Sequence, residues 1–295
     1  MRIIKAVFWI AGIVLLVSAL ALAGHLTTNS QEFSQYNPNW NGTSQFFSDL
    51  DRHHTVMVLD STQLAPYKDN ALLLIIAPKR SPTGAEITAY QAFLDRGNTI
   101  VVADDFGTGS EILQRIGSRI SILKGNLSSI DREYADPYTI VVYPIENASP
   151  VDNCGALILD RAAALNGGEP LVMTSILSWI DTNGDRRITT NEELGEFPVI
   201  SSEEISRGRI VVISDPSIFI NSMQDVDVTF GNHCLINNLM NYPGTVLIDQ
   251  MNSRTRDADG ISGIFHVIRT QFVLEILFFG FLVLIAAWTW RRKIL

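Results

Sequence analysis

The sequence predicts an α/β fold: a doubly wound, mostly parallel sheet flanked by N- and C-terminal transmembrane helices. Three observations carry that expectation. Short apolar runs recur through the middle of the chain, and several are apolar throughout, as strands covered on both faces are. Helical patterns with cap residues fall between some of these runs. Two long apolar stretches bracket the whole.

The brackets come first along the chain and last. Residues 6–24, AVFWIAGIVLLVSALALAG, carry no charge and reach about 28 Å as a helix, close to the thickness of a bilayer core. Arg2 and Lys5 precede them. The second run, FVLEILFFGFLVLIAAWTW (272–290), contains one charge, Glu275, and leads straight into Arg291, Arg292 and Lys293. Cationic flanks mark the cytoplasmic side, and Trp288 and Trp290 suit the interface. A two-span plasma-membrane protein is therefore expected, with both termini cytoplasmic and the main domain extracytoplasmic. The first run also reads as a cleaved signal peptide ending near Ala21-Leu22-Ala23. The expected division is 1–26 as an N-terminal transmembrane helix or signal anchor, 27–250 as an extracytoplasmic α/β domain, 251–266 as a juxtamembrane link, and 267–295 as a C-terminal transmembrane helix with a basic tail.

Within the middle, strands are expected at TVMVL (55–59), ALLLIIA (71–77), TIVVA (99–103), YTIVVY (138–143), ALILD (156–160), PLVMT (170–174), RIVVIS (209–214) and TVLID (245–249). A short helix is expected from Thr43 to Arg52, with Phe46, Phe47 and Leu50 on one side. Thr83-Gly84-Ala85-Glu86 is a capping box that opens a helix through Leu94, stopped by Gly97. Asp215-Pro216 places an N-cap and a proline at another helix start, and Val228–Met240 reads as a further helix.

Composition narrows the function. A net charge of −9 argues against a nucleic-acid surface, which needs a basic patch. No Walker loop or GxGxxG supports nucleotide binding. None of the five histidines is spaced as a zinc-ligand pair, and no nucleophile elbow occurs. Cys154 and Cys234 read equally as one disulfide or as two buried thiols. Asn41 and Asn126 open glycosylation sequons.

Open α/β sheets bind ligands beyond the carboxyl ends of their strands, and here those ends are acidic. Asp60 follows the first run, Asp104 and Asp105 the third, and Asp215 the seventh. Asp104 and Asp105 with Gly107 and Gly109 would cradle a hydroxylated ligand or a metal, or simply build a tight strand-to-helix turn. Asp215 and Asn221 frame a second candidate ligand loop. A separate stretch, DTNGDRRITTNE (181–192), places Asp181, Asn183, Asp185, Arg187, Thr189 and Glu192 at the ligand positions of a calcium loop, Arg187 through its carbonyl. Arg186 stands where that pattern wants glycine. The stretch reads either as a structural calcium clip or as an Asn-Gly turn.

YNPNWNGTS (36–44), APKRSPTGAE (77–86), FLDRGNTIVVADDFGTGS (93–110), SWIDTNGD (178–185), GEFPV (195–199) and GRIVVISDPSIFINSM (208–223) together resemble the prokaryotic family grouped as domain of unknown function 4350. The resemblance implies a glutamine-amidotransferase-like or flavodoxin-like fold without the amidotransferase nucleophile. It also implies an auxiliary role in a membrane complex or transport system, in company with MoxR-type ATPases, and it transfers no catalytic residue. The expectation is thus a non-enzymatic, membrane-anchored binding or scaffold protein with protein partners and calcium as its one candidate ion. The rival reading is a metal-assisted hydrolase using Asp104 and Asp105.

Overall fold

The computed structural model describes residues 28–50, 55–131, 134–145, 148–224, 226 and 230–256, with residue 12 besides. In chain order the elements are α1 (Ser44–Leu50), β1 (Thr55–Val58), β2 (Ala71–Ile76), α2 (Gly84–Asp95), β3 (Thr99–Ala103), α3 (Gly109–Ile116), β4 (Ser121–Ser129), β5 (Thr139–Pro144) and β6 (Leu157–Asp160). They continue with β7 (Ala163–Asn166), β8 (Glu169–Thr174), β9 (Ser178–Asp181), β10 (Pro198–Ile205), β11 (Gly208–Ile213), α4 (Asn221–Gln224), α5 (Asn232–Met240) and β12 (Thr245–Asp249). Every one of the eight apolar runs contains a strand.

The sheet they build corrects the expected fold class. A nine-stranded sheet runs in the order β1-β12-β2-β3-β11-β10-β8-β5-β6. Its first five strands are parallel, with Leu72 beside Thr99 and Val101 beside Val211. The remaining four are antiparallel. A second sheet, β7-β4-β9, is antiparallel throughout. The protein is therefore a mixed, mostly β structure rather than a doubly wound, mostly parallel one, and the glutamine-amidotransferase-like or flavodoxin-like description is not supported. Apolar runs do not reveal strand direction, and some strands show no such run. β10 buries Ser201, Ser202 and Glu203, and β4 reads SILKGNLSS, so neither shows an apolar run.

The expected membrane arrangement is also corrected. Among the described residues no helix is long and apolar enough to cross a membrane, so a two-span plasma-membrane protein is not supported. The two apolar runs themselves, 6–24 and 272–290, lie outside the described residues.

One compact unit spans Glu32–Asp257. Its inner parallel strands are buried on both faces: all six residues of β2 are buried. On one face Leu73, Ile75, Ile100 and Val102 meet Tyr90 and Phe93 of α2 and Leu113 of α3. On the other, Leu72, Leu74, Val101 and Val211 meet Phe46 of α1, Phe219 of the Pro216–Phe219 turn and Leu239 of α5. Each such side chain, fully buried, contributes about 1.5–3 kcal/mol. The capping box forms as expected: Thr83 Oγ1 accepts the Glu86 N–H and Glu86 accepts that of Thr83. Residues 250–256, from 251 expected as a juxtamembrane link, fold onto this unit with Asn252 and Thr255 buried.

Candidate functional site

The carboxyl ends of β3, β11 and β12 carry buried acids, and each is engaged by the chain itself. Asp104 follows β3 and is 2 % exposed; its Oδ2 accepts the Gly109 N–H at 2.6 Å. The turn wraps so closely that a methyl group on Gly107 or Gly109 would lie 2.5 or 2.6 Å from the Asp104 carboxylate. That close approach is why glycine stands at both positions. Burial pushes the Asp104 carboxyl up to about 7, with the Asp105 charge adding to it and the Gly109 N–H and Arg254 opposing it.

Asp215, fully buried, follows β11. Its Oδ1 accepts the Ser217 N–H and its Oδ2 the Asp160 N–H, both at 2.7 Å. Burial drives its carboxyl up to about 8, and the neighbouring charges of Asp105 and Asp160 act in the same sense. Asp249, at the end of β12, accepts the Tyr90 hydroxyl at 2.6 Å and the N–H groups of Met251 and Asn252. Burial raises that carboxyl too. Asp105 is half-buried, accepts the Phe106 N–H at 2.5 Å, and is raised by burial. Asp60 caps the short helical turn Ser61–Leu64 at the end of β1.

Asn221 joins two segments far apart in sequence. Its Nδ2 donates to the carbonyls of Asn37 and Asn39 and to Ser44 Oγ, while its Oδ1 accepts the Gln45 N–H. It fixes the 37–45 loop against the segment after β11. The candidate ligand residues thus share one edge of the sheet, but their polar atoms serve as caps and ties. What the edge presents outward is different: Phe106 is 49 % exposed on the Asp104–Gly109 turn, and Trp40 is 67 % exposed on the loop that Asn221 holds. The sequence reading missed both, although exposed aromatics on polar loops are a signal that sequence alone cannot separate from core residues. It missed Asp249 as a cap as well, despite the same run-then-acid pattern at Asp104.

The 181–192 stretch forms its own closed loop. Asp181, 1 % exposed, accepts the Gly184 N–H on Oδ1 and both the Arg186 N–H and the Tyr138 hydroxyl on Oδ2. Burial raises its carboxyl, and these donors outweigh burial and hold it below the usual range. Asn183 accepts from Asp185 N–H, and Asp185 from Arg187 N–H. Arg186 adopts φ 61°, the conformation that favours glycine, and its guanidinium lies 5.0 Å from the Tyr138 ring centroid. Each Glu192 carboxylate oxygen accepts two bonds, from the N–H and hydroxyl of Thr182 and of Thr189. Glu192 thereby ties the two ends of the loop together. Among the described residues no three His, Cys, Asp or Glu side chains are grouped to hold a metal.

Cys154 and Cys234 are joined in a disulfide, with Cα atoms 5.5 Å apart. The two sequon asparagines are half-buried: Asn41 Oδ1 accepts from Asn37, and Asn126 lies within β4 between Ala163 and Asp181.

Fold and edge together define a mixed-sheet domain whose acidic strand ends are internal caps. The chain belongs to the family described as domain of unknown function (DUF4350), which matches residues 35–231. No curated protein matches it. Among solved structures it is similar to the mmIFT52 N-terminal domain, at 16 % identity and a TM-score of 0.48, over 66 % of this chain and 87 % of that one. It is also similar to a β-galactosidase from Bacillus circulans sp. alkalophilus, at 11 % identity and a TM-score of 0.34, over 55 % of this chain and 22 % of that one. An α-L-fucosidase isoenzyme 2 from Paenibacillus thiaminolyticus matches at 12 % identity and a TM-score of 0.28, over 56 % of this chain and 24 % of that one. Likeness at these TM-scores carries no functional argument.

Proposed function

We propose that this domain is a non-enzymatic binding or scaffold module that engages a protein partner through the loops at the carboxyl edge of its sheet. The observation that carries the reading is the pairing of inward-facing acids with outward-facing aromatics. Asp104 and Asp215 are engaged by backbone N–H groups, whereas Phe106 stands out on the turn that the Asp104 contact holds and Trp40 on the loop that Asn221 holds. Large, rigid aromatic side chains on fixed loops supply contact area at low entropic cost, which is what protein interfaces favour.

A metal-assisted hydrolase is the weaker reading. The Asp104 carboxylate is packed under Gly107 and Gly109, with no space between it and the turn for a metal and its water. The test of the binding reading is site-specific photocrosslinking in the producing cells from positions 40 and 106. A discrete adduct from these positions supports it.

A further inference from the structure

β9 is an outer strand of the second sheet, and a cavity of about 460 Å³ lies against it, large enough for a small molecule. Its apolar wall is made of Leu123 from β4, Ile180 from β9 and Phe197. All three pack against the core but are only partly buried, so they keep apolar surface for a ligand to cover.

The edge of β9 is closed on either side of one residue. The Ser178 carbonyl accepts the Gly195 N–H at 2.8 Å, and the Thr182 N–H donates to Glu192 Oε1 at 2.9 Å. Ile180 lies between them. It stands opposite Leu127 in the β4–β9 ladder, and the Leu127 N–H goes the other way, to the Ala162 carbonyl at 2.8 Å. In an antiparallel ladder such a pair exchanges no hydrogen bonds, so the Ile180 N–H and carbonyl also point away from β4. Neither has a partner among the described residues. Ile180 thus offers one donor and one acceptor beside the apolar wall.

Two charges line the same cavity, Lys124 and Glu193. Both are exposed, and among the described residues neither side chain makes an ion pair or a hydrogen bond. The chain therefore leaves a cation and an anion un-neutralised around one apolar surface. A ligand that carries both charges complements them, whereas a simple anion or cation meets one charge of its own sign.

We propose that this cavity binds a free α-amino acid with an apolar side chain. Its carboxylate pairs with Lys124 and its ammonium with Glu193. The Ile180 N–H and carbonyl serve the same two groups, and the side chain lies on Leu123 and Phe197. The site shares no residue with the carboxyl-edge surface. Calorimetric titration of the full-length protein with leucine, with isocaproate (leucine without its amine) and with isoamylamine (leucine without its carboxylate) tests it. Leucine is expected to saturate the protein, with the other two each weaker by about tenfold or more. Lys124→Gln is expected to remove the advantage of leucine over isoamylamine, and Glu193→Gln its advantage over isocaproate. Both side chains are exposed, so neither substitution disturbs the core. Absence of saturable leucine binding overturns the proposal. So does either preference surviving its substitution, or glycine binding as tightly as leucine.

Discussion

The Asp215 carboxylate accepts the backbone N–H of Asp160 at 2.7 Å, and so closes part of the outer edge of β6 with a side chain. Asn232 does the rest: its amide donates to the Ile158 carbonyl and accepts the Ile158 N–H, both at 2.9 Å. An unpaired edge strand invites pairing with another chain, and here two polar side chains occupy it. Replacing Asp215 with Ala leaves the Asp160 and Ser217 N–H groups without their acceptor. We expect a loss of about 2–4 kcal/mol in urea denaturation. Asn232→Ala is expected to raise concentration-dependent aggregation. Wild-type stability in Asp215→Ala would refute the assignment of this acid as a structural cap.

The raised carboxyls of Asp104 and Asp215 predict how stability changes with pH. A carboxyl raised in the folded state holds its proton there at pH values where the unfolded chain has released it. The unfolded state then binds fewer protons, so stability falls as pH rises from about 4, the unfolded value, through about 7 to 8. Between pH 5 and pH 8 the melting temperature is expected to drop as a result. The double substitution Asp104→Asn with Asp215→Asn should flatten that slope. An unchanged slope in the double variant would count against it.

Two glycines separate close approach from mere flexibility. A methyl on Gly109 meets Asp104 Oδ2 at 2.6 Å, whereas one on Gly84, the first residue of α2, meets nothing within 4 Å. Gly109→Ala is expected to destabilise by about 1–3 kcal/mol. Gly84→Ala is expected to be neutral or to stabilise by up to about 1 kcal/mol. Differential scanning calorimetry distinguishes the pair, and equal effects would contradict the packing described.

The 181–192 loop is closed by its own donors. Asp181→Ala is expected to lower the melting temperature, because Gly184 N–H, Arg186 N–H and the Tyr138 hydroxyl lose their acceptor. EDTA and added calcium are expected to leave the wild type unchanged. A calcium-dependent rise that Asp181→Ala removes would reverse this reading.

Legibility in the sequence followed burial. β2, ALLLII, is buried at every position, so its apolar run announced a strand. β10, PVISSEEI, is buried just as well at its centre, but with Ser201, Ser202 and Glu203, whose burial depends on partners that no local pattern reveals. Glu203, for instance, accepts from Ser118 and from Arg119, both about 84 residues away in sequence. β5, β6 and β8 show apolar runs as the parallel strands do, and such a run does not tell a parallel strand from an antiparallel one. At the candidate site the acids were visible by position. Their roles were not, since Asp104 as ligand and Asp104 as turn cap read identically until Gly107 and Gly109 are placed against its carboxylate.

The most direct test of the account is photocrosslinking from Trp40 and Phe106, with Leu194, 44 % exposed on another loop, as the control position. A discrete protein adduct from positions 40 and 106, absent from 194, is the predicted result. Adducts from 194 alone, or from none of the three, would contradict a binding surface at the carboxyl edge.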